Sequence, residues 1–356
     1  MTRQSDIAKE LGISISTVSR ALSGSPQISA KTRDSVLRMA SQLDYPASTD
    51  DAAVSYLPAD AARWIDRPAT LSVLINRDLK HRGAGNDIFS DRPLAPAWDL
   101  LSGVTHEARQ LGFSINVHFF SESEADSLSS SEEHLPRELT GGDRDQLGVL
   151  VIRRFPDAVC DWLAERFRTV FLCQPAGNRE ADCVDLDVVL AMSRAYRHLH
   201  DLGHRQIGFV QSEPMTCGTR FSAFLKAAVV HGQPITPQTL LNVHRPLDPD
   251  RLAKQLVQAT AAGTSAWICV GGADAVVRSL IDAGLEVPRD VSILAVAQDS
   301  PSIHGRKVSH VTYDVQPVGR AGLRVLLDRL REPDQPTRSV LLQPGVVAGE
   351  TTAPPR

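Results

Sequence analysis

The sequence has no segment that is long and apolar enough to cross a membrane. None of the apolar runs in its 356 residues approaches the ~20 residues that a transmembrane helix requires. The first residues are polar and have a helical pattern, without the apolar centre of a secretion signal. These absences exclude an integral membrane protein and predict a cytoplasmic one.

Cysteine is scarce, and its spacing suits neither a disulfide framework nor a metal site. The five cysteines are scattered along the chain, at Cys160, Cys173, Cys183, Cys217 and Cys269. We therefore expect free thiols, mostly buried, in a reducing compartment.

No catalytic arrangement stands out in the sequence. The Gly-x-Ser-x-Gly, phosphate-binding loop and His-Glu-x-x-His patterns are absent, and Gly83-x-Gly85 lacks the third glycine and the following helix of a dinucleotide site. His198 and His200 point to different faces of one predicted helix, and His204 lies beyond its end, so a structural role is favoured over a metal site. We predict no enzymatic activity, no cofactor and no metal.

The net charge of −4 argues against a protein that coats nucleic acid through bulk positive charge. The first 45 residues differ from the rest, because basic residues outnumber acidic ones there. The basic set is Arg3, Lys9, Arg20, Lys31, Arg33 and Arg38, against Asp6, Glu10, Asp34 and Asp44. A small N-terminal module could therefore carry a local basic patch.

The N-terminus has the pattern of two short helices joined by a tight turn. Ile7, Ala8 and Leu11 recur at helical spacing and form one apolar stripe. Gly12 is a helix stop that tolerates the left-handed conformation, and Ser14 is placed to cap the next helix. A third helix is predicted after the cap Ser29, which completes an all-α helix-turn-helix headpiece over residues 1–45.

The second helix has an outer face suited to the major groove of DNA. Short hydroxyl groups allow close approach to bases and phosphates, and an arginine can bond guanine with two hydrogen bonds. We expect Ser16, Thr17 and Arg20 to contact bases, with Ile15 as an apolar contact. The hydroxyls expected to contact phosphates are Ser14, Ser19 and Ser29.

From residue 71 onward the sequence alternates between apolar strands and amphipathic helices. Such alternation predicts an α/β core of two parallel-sheet lobes with helices on both faces. The polar stretches 77–97 and 121–144 are expected to be loops.

Several motifs resemble the lac-repressor (LacI/GalR) family of transcription regulators. They are Ser16 to Arg20, Ile28 to Arg33, Leu202-Gly203-His204-Arg205 and the C-terminal stretch from Leu341 to Pro355. The resemblance implies a periplasmic-binding-protein-like core over residues 71–356, with a first lobe of about 71–174 and 301–331 and a second of about 186–300 and 338–350. It also implies a homodimeric repressor on pseudo-palindromic operator DNA in the bacterial nucleoid, controlled by a small molecule between the lobes.

Residues 46–70 are expected to be a linker. In the resembled family a short helix forms here on DNA, and a leucine enters the minor groove. The stretch from Asp51 to Leu57 keeps Ala52 and Leu57 but lacks the family's asparagine and arginine. Two interpretations stay open: Leu57 is a minor-groove wedge, or the segment is a flexible tether.

The resemblance places an effector-binding arginine at Arg220, for which a surface salt bridge is the alternative. Cys173 and Ala297 stand where the family often has aspartates. The polar side chains that could compensate are Asp274, Gln298 and Asp299, and Trp98 could either stack on a ligand or pack in the fold. The implied effector is a sugar or a sugar derivative. A regulator with a lost or unusual effector response, and a solute-binding protein of the same fold, remain alternatives.

Overall fold

The computed structural model describes most of the chain after the linker and part of the headpiece. The described residues are 4–22, 28–29, 32, 35–36, 39, 70–76, 95–128, 147–152, 155–174, 179–211, 218–242, 248–297 and 301–356. The residues singled out above that lie outside this part include Leu57, Gln298, Asp299 and Cys217, the pair Gly83 and Gly85, and most of the basic set of the headpiece.

The chain divides into two compact units. The first comprises Met1–Leu79, Pro96–Asp185 and Gln316–Val340, and the second comprises Lys80–Ala95, Leu186–Val315 and Leu341–Arg356. Residues 301–315 thus belong to the second unit, although the sequence assigned 301–331 to the first lobe. The reason is a strand at Ser309–Thr312, which pairs in parallel with the second-unit strand Ser292–Ala297.

The headpiece begins with α1 (Gln4–Leu11) and α2 (Ile15–Leu22). Its apolar core consists of Ile7, Ala8, Val18, Ala21 and Val36, all buried. Buried positions on both helices face one core, as the apolar stripe of α1 predicted.

The first unit contains a six-stranded sheet with the order β13–β5–β4–β3–β1–β2, and β1 to β5 pair in parallel. The strands are β1 (Thr70–Asn76), β2 (Ile115–Phe120), β3 (Leu147–Ile152), β4 (Arg168–Leu172), β5 (Asp182–Leu186) and β13 (Ser339–Leu342). The helices are α3 (Ala95–Leu111), α4 (Glu122–Ser127), α5 (Asp157–Arg166) and α10 (Gln316–Arg331).

The second unit is built on another six-stranded sheet, with the order β14–β12–β9–β8–β6–β7. The strands are β6 (Ile207–Gln211), β7 (Leu240–Asn242), β8 (Ala266–Val270), β9 (Ser292–Ala297), β12 (Ser309–Thr312) and the antiparallel β14 (Val346–Val347). The helices are α6 (Val188–Asp201), α7 (Thr219–Val230), α8 (Pro249–Ala261) and α9 (Ala273–Asp282), with a 3-10 turn at Pro237–Thr239. A small hairpin joins β10 (Ser302–Ile303) to β11 (Arg306–Lys307).

The parallel sheets predicted from the sequence are confirmed, but the expectation of a loop from residue 121 is wrong at its start. Helix α4 forms there because Ser121 and Glu124 make a capping box: the Glu124 N–H donates to Ser121 Oγ, and the Ser121 N–H donates to the Glu124 carboxylate at 2.6 Å. The polar composition concealed this helix.

Among described residues, no helix is both long and apolar enough to span a membrane.

Two glycines allow α3 and α10 to approach closely. A Cβ atom on Gly319 would lie 2.1 Å from the Leu100 carbonyl oxygen, and one on Gly103 would lie 2.1 Å from that of Gln316. Since backbone atoms cannot move aside as a side chain can, only glycine fits at this crossing.

The C-terminal tail crosses the amino ends of the second unit's strands. Thr351 Oγ1 donates to the Ile293 carbonyl at 2.7 Å, and Ser292 Oγ bonds both the N–H and the carbonyl of Ala353. His204, which is buried, bonds the same Ala353 carbonyl through Nε2 at 2.9 Å. Because a carbonyl only accepts, Nε2 carries the proton, and Nδ1 of the neutral ring accepts from Ser265 Oγ at 2.7 Å.

Protonation of His204 is expected to weaken the second unit as the pH falls. Burial lowers the pKa of His204, with an opposing effect from its bond to Ala353. The unfolded chain therefore takes up a proton first, so the stabilisation is complete above about pH 6.5 and is lost as the pH falls through the lower folded pKa. We expect His204→Gln to cost ~1 kcal/mol at neutral pH, with the gap to wild type narrowing in acid.

Chemical denaturation at neutral pH and near pH 5 measures this gap. The control is His106→Gln, which makes the same substitution at an exposed histidine in α3 and should cost less than about 0.5 kcal/mol. A gap between His204→Gln and wild type that stays constant with pH would contradict the assignment.

Candidate DNA-binding and ligand sites

The turn between α1 and α2 sets the orientation of α2 relative to α1. Gly12 has φ +63°, the left-handed conformation expected of a helix stop. Its N–H donates to the Lys9 carbonyl at 3.3 Å, and the Ile13 N–H donates to the Ala8 carbonyl at 3.0 Å. This pair of bonds ends α1, as the sequence predicted for Gly12.

Ser14 caps α2 and gathers the hydroxyl groups of its first turn. The Thr17 N–H donates to Ser14 Oγ at 3.1 Å, which confirms the predicted cap. Ser14 Oγ also lies 2.8 Å from both Ser16 Oγ and Thr17 Oγ1. The structure therefore brings together three of the predicted contact residues at one helix end.

Three of the predicted contact positions on α2 lie on its outer side. Ile15 is 54 % exposed although it is a large apolar residue, and Ser16 and Arg20 are exposed too. Ser19 lies in the same helix, but its side chain is outside the described residues. Val18 and Ala21 are buried, so one face of α2 packs and the other is available to a partner.

Ser29 occupies a second cap position. The Thr32 N–H donates to Ser29 Oγ at 3.1 Å, and the two hydroxyl oxygens are 2.8 Å apart. This is the bonding expected where a helix begins, in agreement with the predicted third helix.

In the second unit, Arg220 is held at the carboxyl edge of the sheet. It is half-buried at the second position of α7, and its Nη2 donates to the Tyr313 hydroxyl at 3.0 Å. The guanidinium carbon lies 5.3 Å from the centre of the Tyr313 ring. Tyr313 directly follows β12 and was not predicted, since that short strand was not recognised.

Asp274 lies near the same edge, in the first turn of α9. Two consecutive glycines with positive φ, Gly271 and Gly272, lead from β8 into this helix. The Asp274 carboxylate is 3.7 Å from Arg278, and both side chains are about two-thirds exposed. Such a pair contributes little stability, so Asp274 stays accessible to a ligand.

In the first unit, two side chains mark the carboxyl edge of the sheet. Trp98 packs on Phe119 with ring centres 5.4 Å apart, and it is only partly buried. Gln174 follows β4 and is 5 % exposed, and its Nε2 donates to the Cys160 sulfur at 3.2 Å. Burial raises the pKa of the Cys160 thiol, so it is an unreactive structural group.

Gln174 is the second residue that the sequence analysis missed. Its Oε1 is buried without a hydrogen-bond partner in the described part of the chain. It stands next to Cys173, which has φ +53°. The described residues contain no cluster of three or more His, Cys, Asp or Glu arranged to hold a metal ion.

Two family descriptions match the chain. Residues 5–48 match "Bacterial regulatory proteins, lacI family", and residues 196–352 match "Periplasmic binding protein-like domain". The first covers the headpiece with its capped α2, and the second covers most of the second unit.

Similar proteins are transcription regulators of comparable length. The HTH-type transcriptional repressor MelR of Bacillus subtilis (strain 168) is 25% identical over 350 residues, which cover 93% of this chain and 92% of MelR. The HTH-type transcriptional regulator MalR of Streptomyces coelicolor is 26% identical over 380 residues, covering 99% of this chain and 97% of MalR.

Solved structures show the same fold. The complex of the transcriptional regulator CelR with cellobiose has a TM-score of 0.59 at 18% identity, and the match covers 99% of this chain and 100% of that one. The lac repressor dimer bound to operator and the anti-inducer ONPF has a TM-score of 0.60 at 18% identity, with 99% of each chain covered.

A capped helix-turn-helix joined to two parallel-sheet units defines a DNA-binding regulator with an α/β ligand-binding core. Residues 5–48 form a LacI-family helix-turn-helix domain and residues 196–352 a periplasmic-binding-protein-like domain, and the similar proteins are transcription regulators. The predicted family, fold class and regulatory function are confirmed.

Proposed function

We propose that the protein is a repressor that binds a pseudo-palindromic operator as a homodimer and responds to a small-molecule effector. The observation that carries the proposal is α2, which buries Val18 and Ala21 and presents Ile15, Ser16 and Arg20 to the outside. A helix of this kind fits the major groove, and two copies match two half-sites.

The roles on DNA follow from the chemistry of each side chain. Arg20 and the hydroxyls of Ser16 and Thr17 contact base edges, and Ile15 packs on an apolar base group. The positions assigned to phosphates are Ser14, Ser19 and Ser29. The bonds that Ser14 and Ser29 make to their own helices support this assignment, because they hold each hydroxyl at a helix N-terminus.

The proposed organisation keeps residues 1–45 as headpiece, 46–70 as linker and 71–356 as core. Within the linker, Leu57 is the residue proposed to enter the minor groove. We place the protein in the cytoplasm, on the nucleoid when it is bound to DNA.

The effector is proposed to be a sugar or a sugar derivative that contacts the carboxyl edges of the sheets. The structural neighbour CelR is in complex with cellobiose, and a relative that is 20% identical is the ribose operon repressor of Haemophilus influenzae. The candidate contacts are Arg220, Asp274, Gln298 and Asp299 in the second unit and Trp98 in the first. Carboxyl ends of parallel strands are where α/β folds bind small molecules.

Replacing Arg20 with alanine is expected to weaken binding to the preferred operator by about 100-fold, since a homodimer loses one base contact in each half-site. Binding to random duplex should change much less, because phosphate contacts remain. The preferred sequence is first selected from random duplexes with the full chain. Fluorescence anisotropy with random competitor then measures both affinities.

The matched control is Arg331→Ala, which removes an exposed arginine paired with Glu332 at the end of α10. It changes the net charge equally and should leave operator binding as in wild type. The proposal fails if selection returns no preferred sequence, or if Arg20→Ala and Arg331→Ala behave alike.

A further inference from the structure

We infer that Tyr313 is a positioning residue of the effector site, where it orients the Arg220 guanidinium so that the pair binds a ring compound with two adjacent oxygen atoms. The inference deepens the proposed function and rests on it, because it assumes that this edge of the second unit binds the effector.

The first step is the contact between the two side chains. Arg220 Nη2 donates to the Tyr313 hydroxyl at 3.0 Å, so the phenol fixes one arm of the guanidinium. An arginine side chain has several rotatable bonds, and a fixed arm reduces the entropy that ligand binding would otherwise cost. A guanidinium held in this way is prepared for a ligand before the ligand arrives.

The second step is that Tyr313 is itself anchored. Its N–H donates to the carbonyl of Ala297, the last residue of β9, at 2.8 Å. The preceding residue Thr312 bonds Gly345 through both its N–H and its hydroxyl group. The ring packs partly against the buried core of the second unit. Tyr313 is therefore a rigid support, which a positioning residue must be.

The third step concerns the ligand. The planar fork of a guanidinium matches two adjacent oxygen atoms, as in vicinal hydroxyls or a carboxylate. The Tyr313 ring is only partly buried, so its exposed part adds apolar surface beside the fork, against which the C–H side of a sugar ring can pack. Both a neutral sugar and a sugar acid provide a ring with two adjacent oxygen atoms.

Isothermal titration calorimetry on the full chain tests the inference with two probes. Cellobiose carries vicinal hydroxyls and no charge, and D-glucuronate carries a carboxylate as well. We expect at least one probe to bind. The probe that binds more tightly shows whether the effector is a neutral sugar or a sugar acid. Tyr313→Phe should weaken that binding about 10-fold, since it removes only the hydroxyl that bonds a charged group.

A matched control removes the same hydroxyl at the opposite edge of the same sheet. The Tyr196 hydroxyl donates to Gln233 Oε1 at 2.6 Å, and Gln233 bonds Ile207 at the amino end of β6. Tyr196→Phe should lower the Tm and leave probe affinity unchanged. Tyr313→Phe should instead weaken probe binding and leave the Tm unchanged. A tyrosine with only a structural role would lower the Tm.

The variant Arg220→Lys decides whether Tyr313 acts through Arg220. Adding Tyr313→Phe to this variant should weaken binding by less than about 2-fold, because the oriented fork is already lost. A full additional 10-fold loss would overturn the positioning role. So would wild-type affinity of Tyr313→Phe, or binding of neither probe to the wild-type chain. Operator binding is measured separately, so these results do not depend on the DNA-binding part of the proposal.

Discussion

Val18→Asp is expected to abolish sequence-specific DNA binding while the second unit stays folded. Val18 belongs to α2 and is fully buried in the headpiece core that α2 shares with Ile7 and Ala8 of α1. A carboxylate at this position would be buried without a partner, which costs several kcal/mol. The core has only five buried apolar residues among those described, so little stability is available to offset that cost.

The effect on DNA binding follows from the geometry of α2. Its outer face is presented only while Val18 and Ala21 hold its inner face against the core. When the headpiece unfolds, binding to the selected operator should fall by about 1000-fold or more, to the level of random duplex. The second unit has its own core and should keep its thermal transition.

Fluorescence anisotropy measures the loss, and differential scanning calorimetry follows the second unit. The control is Val229→Asp, which makes the same substitution at a valine that is 68 % exposed. It should leave both operator binding and the transitions intact. Specific binding by Val18→Asp at more than about a tenth of the wild-type affinity would contradict the assignment of α2 as the DNA-reading helix.

The headpiece could be predicted from sequence because its determinants are local. Gly12 ends α1, and Ser14 and Ser29 cap the helices that follow, through bonds between residues no more than five positions apart. The parallel sheets were predictable for a related reason, since runs of buried strand residues alternate with amphipathic helices.

The residues that sequence reasoning missed depend on distant partners. Tyr313 follows β12, a strand of four residues that is identified only by its pairing with β9. Gly319 is needed because Leu100, far earlier in the chain, lies against it. Asp182 is a charged residue in a buried strand, and the partner that explains it, Arg329, lies 147 positions later. No local pattern contains these contacts.

The buried ion pair of Asp182 and Arg329 should contribute strongly to the stability of the first unit's sheet. Asp182 is fully buried, and its carboxylate accepts from Arg329 Nε at 2.8 Å and Nη2 at 3.1 Å. It also accepts from the Arg338 N–H at 2.8 Å. The hydrogen bond to Asp182 is the main cause that raises the pKa of Arg329.

Arg329→Met is expected to lower the free energy of unfolding by about 3 kcal/mol, because it leaves a buried carboxylate without its counter-charge. This is the lower end of the usual range. A cavity of about 440 Å³, lined in part by Asp182 and Arg329, can admit water that solvates the remaining charge. Urea denaturation measures the change, and the exposed arginine variant Arg331→Met should cost less than about 0.5 kcal/mol.

The double variant Asp182→Leu with Arg329→Met separates the cost of an orphaned charge from the net value of the pair. Removing both charges should restore part of the stability lost in Arg329→Met alone. Restoration should be incomplete, because Arg329 also donates to the carbonyls of Pro333, Gln335 and Pro336. If the double variant were less stable than Arg329→Met by the full cost of a second core substitution, the charge-pair explanation would be wrong. The pair would then act mainly by holding the 333–336 loop that leads into β13.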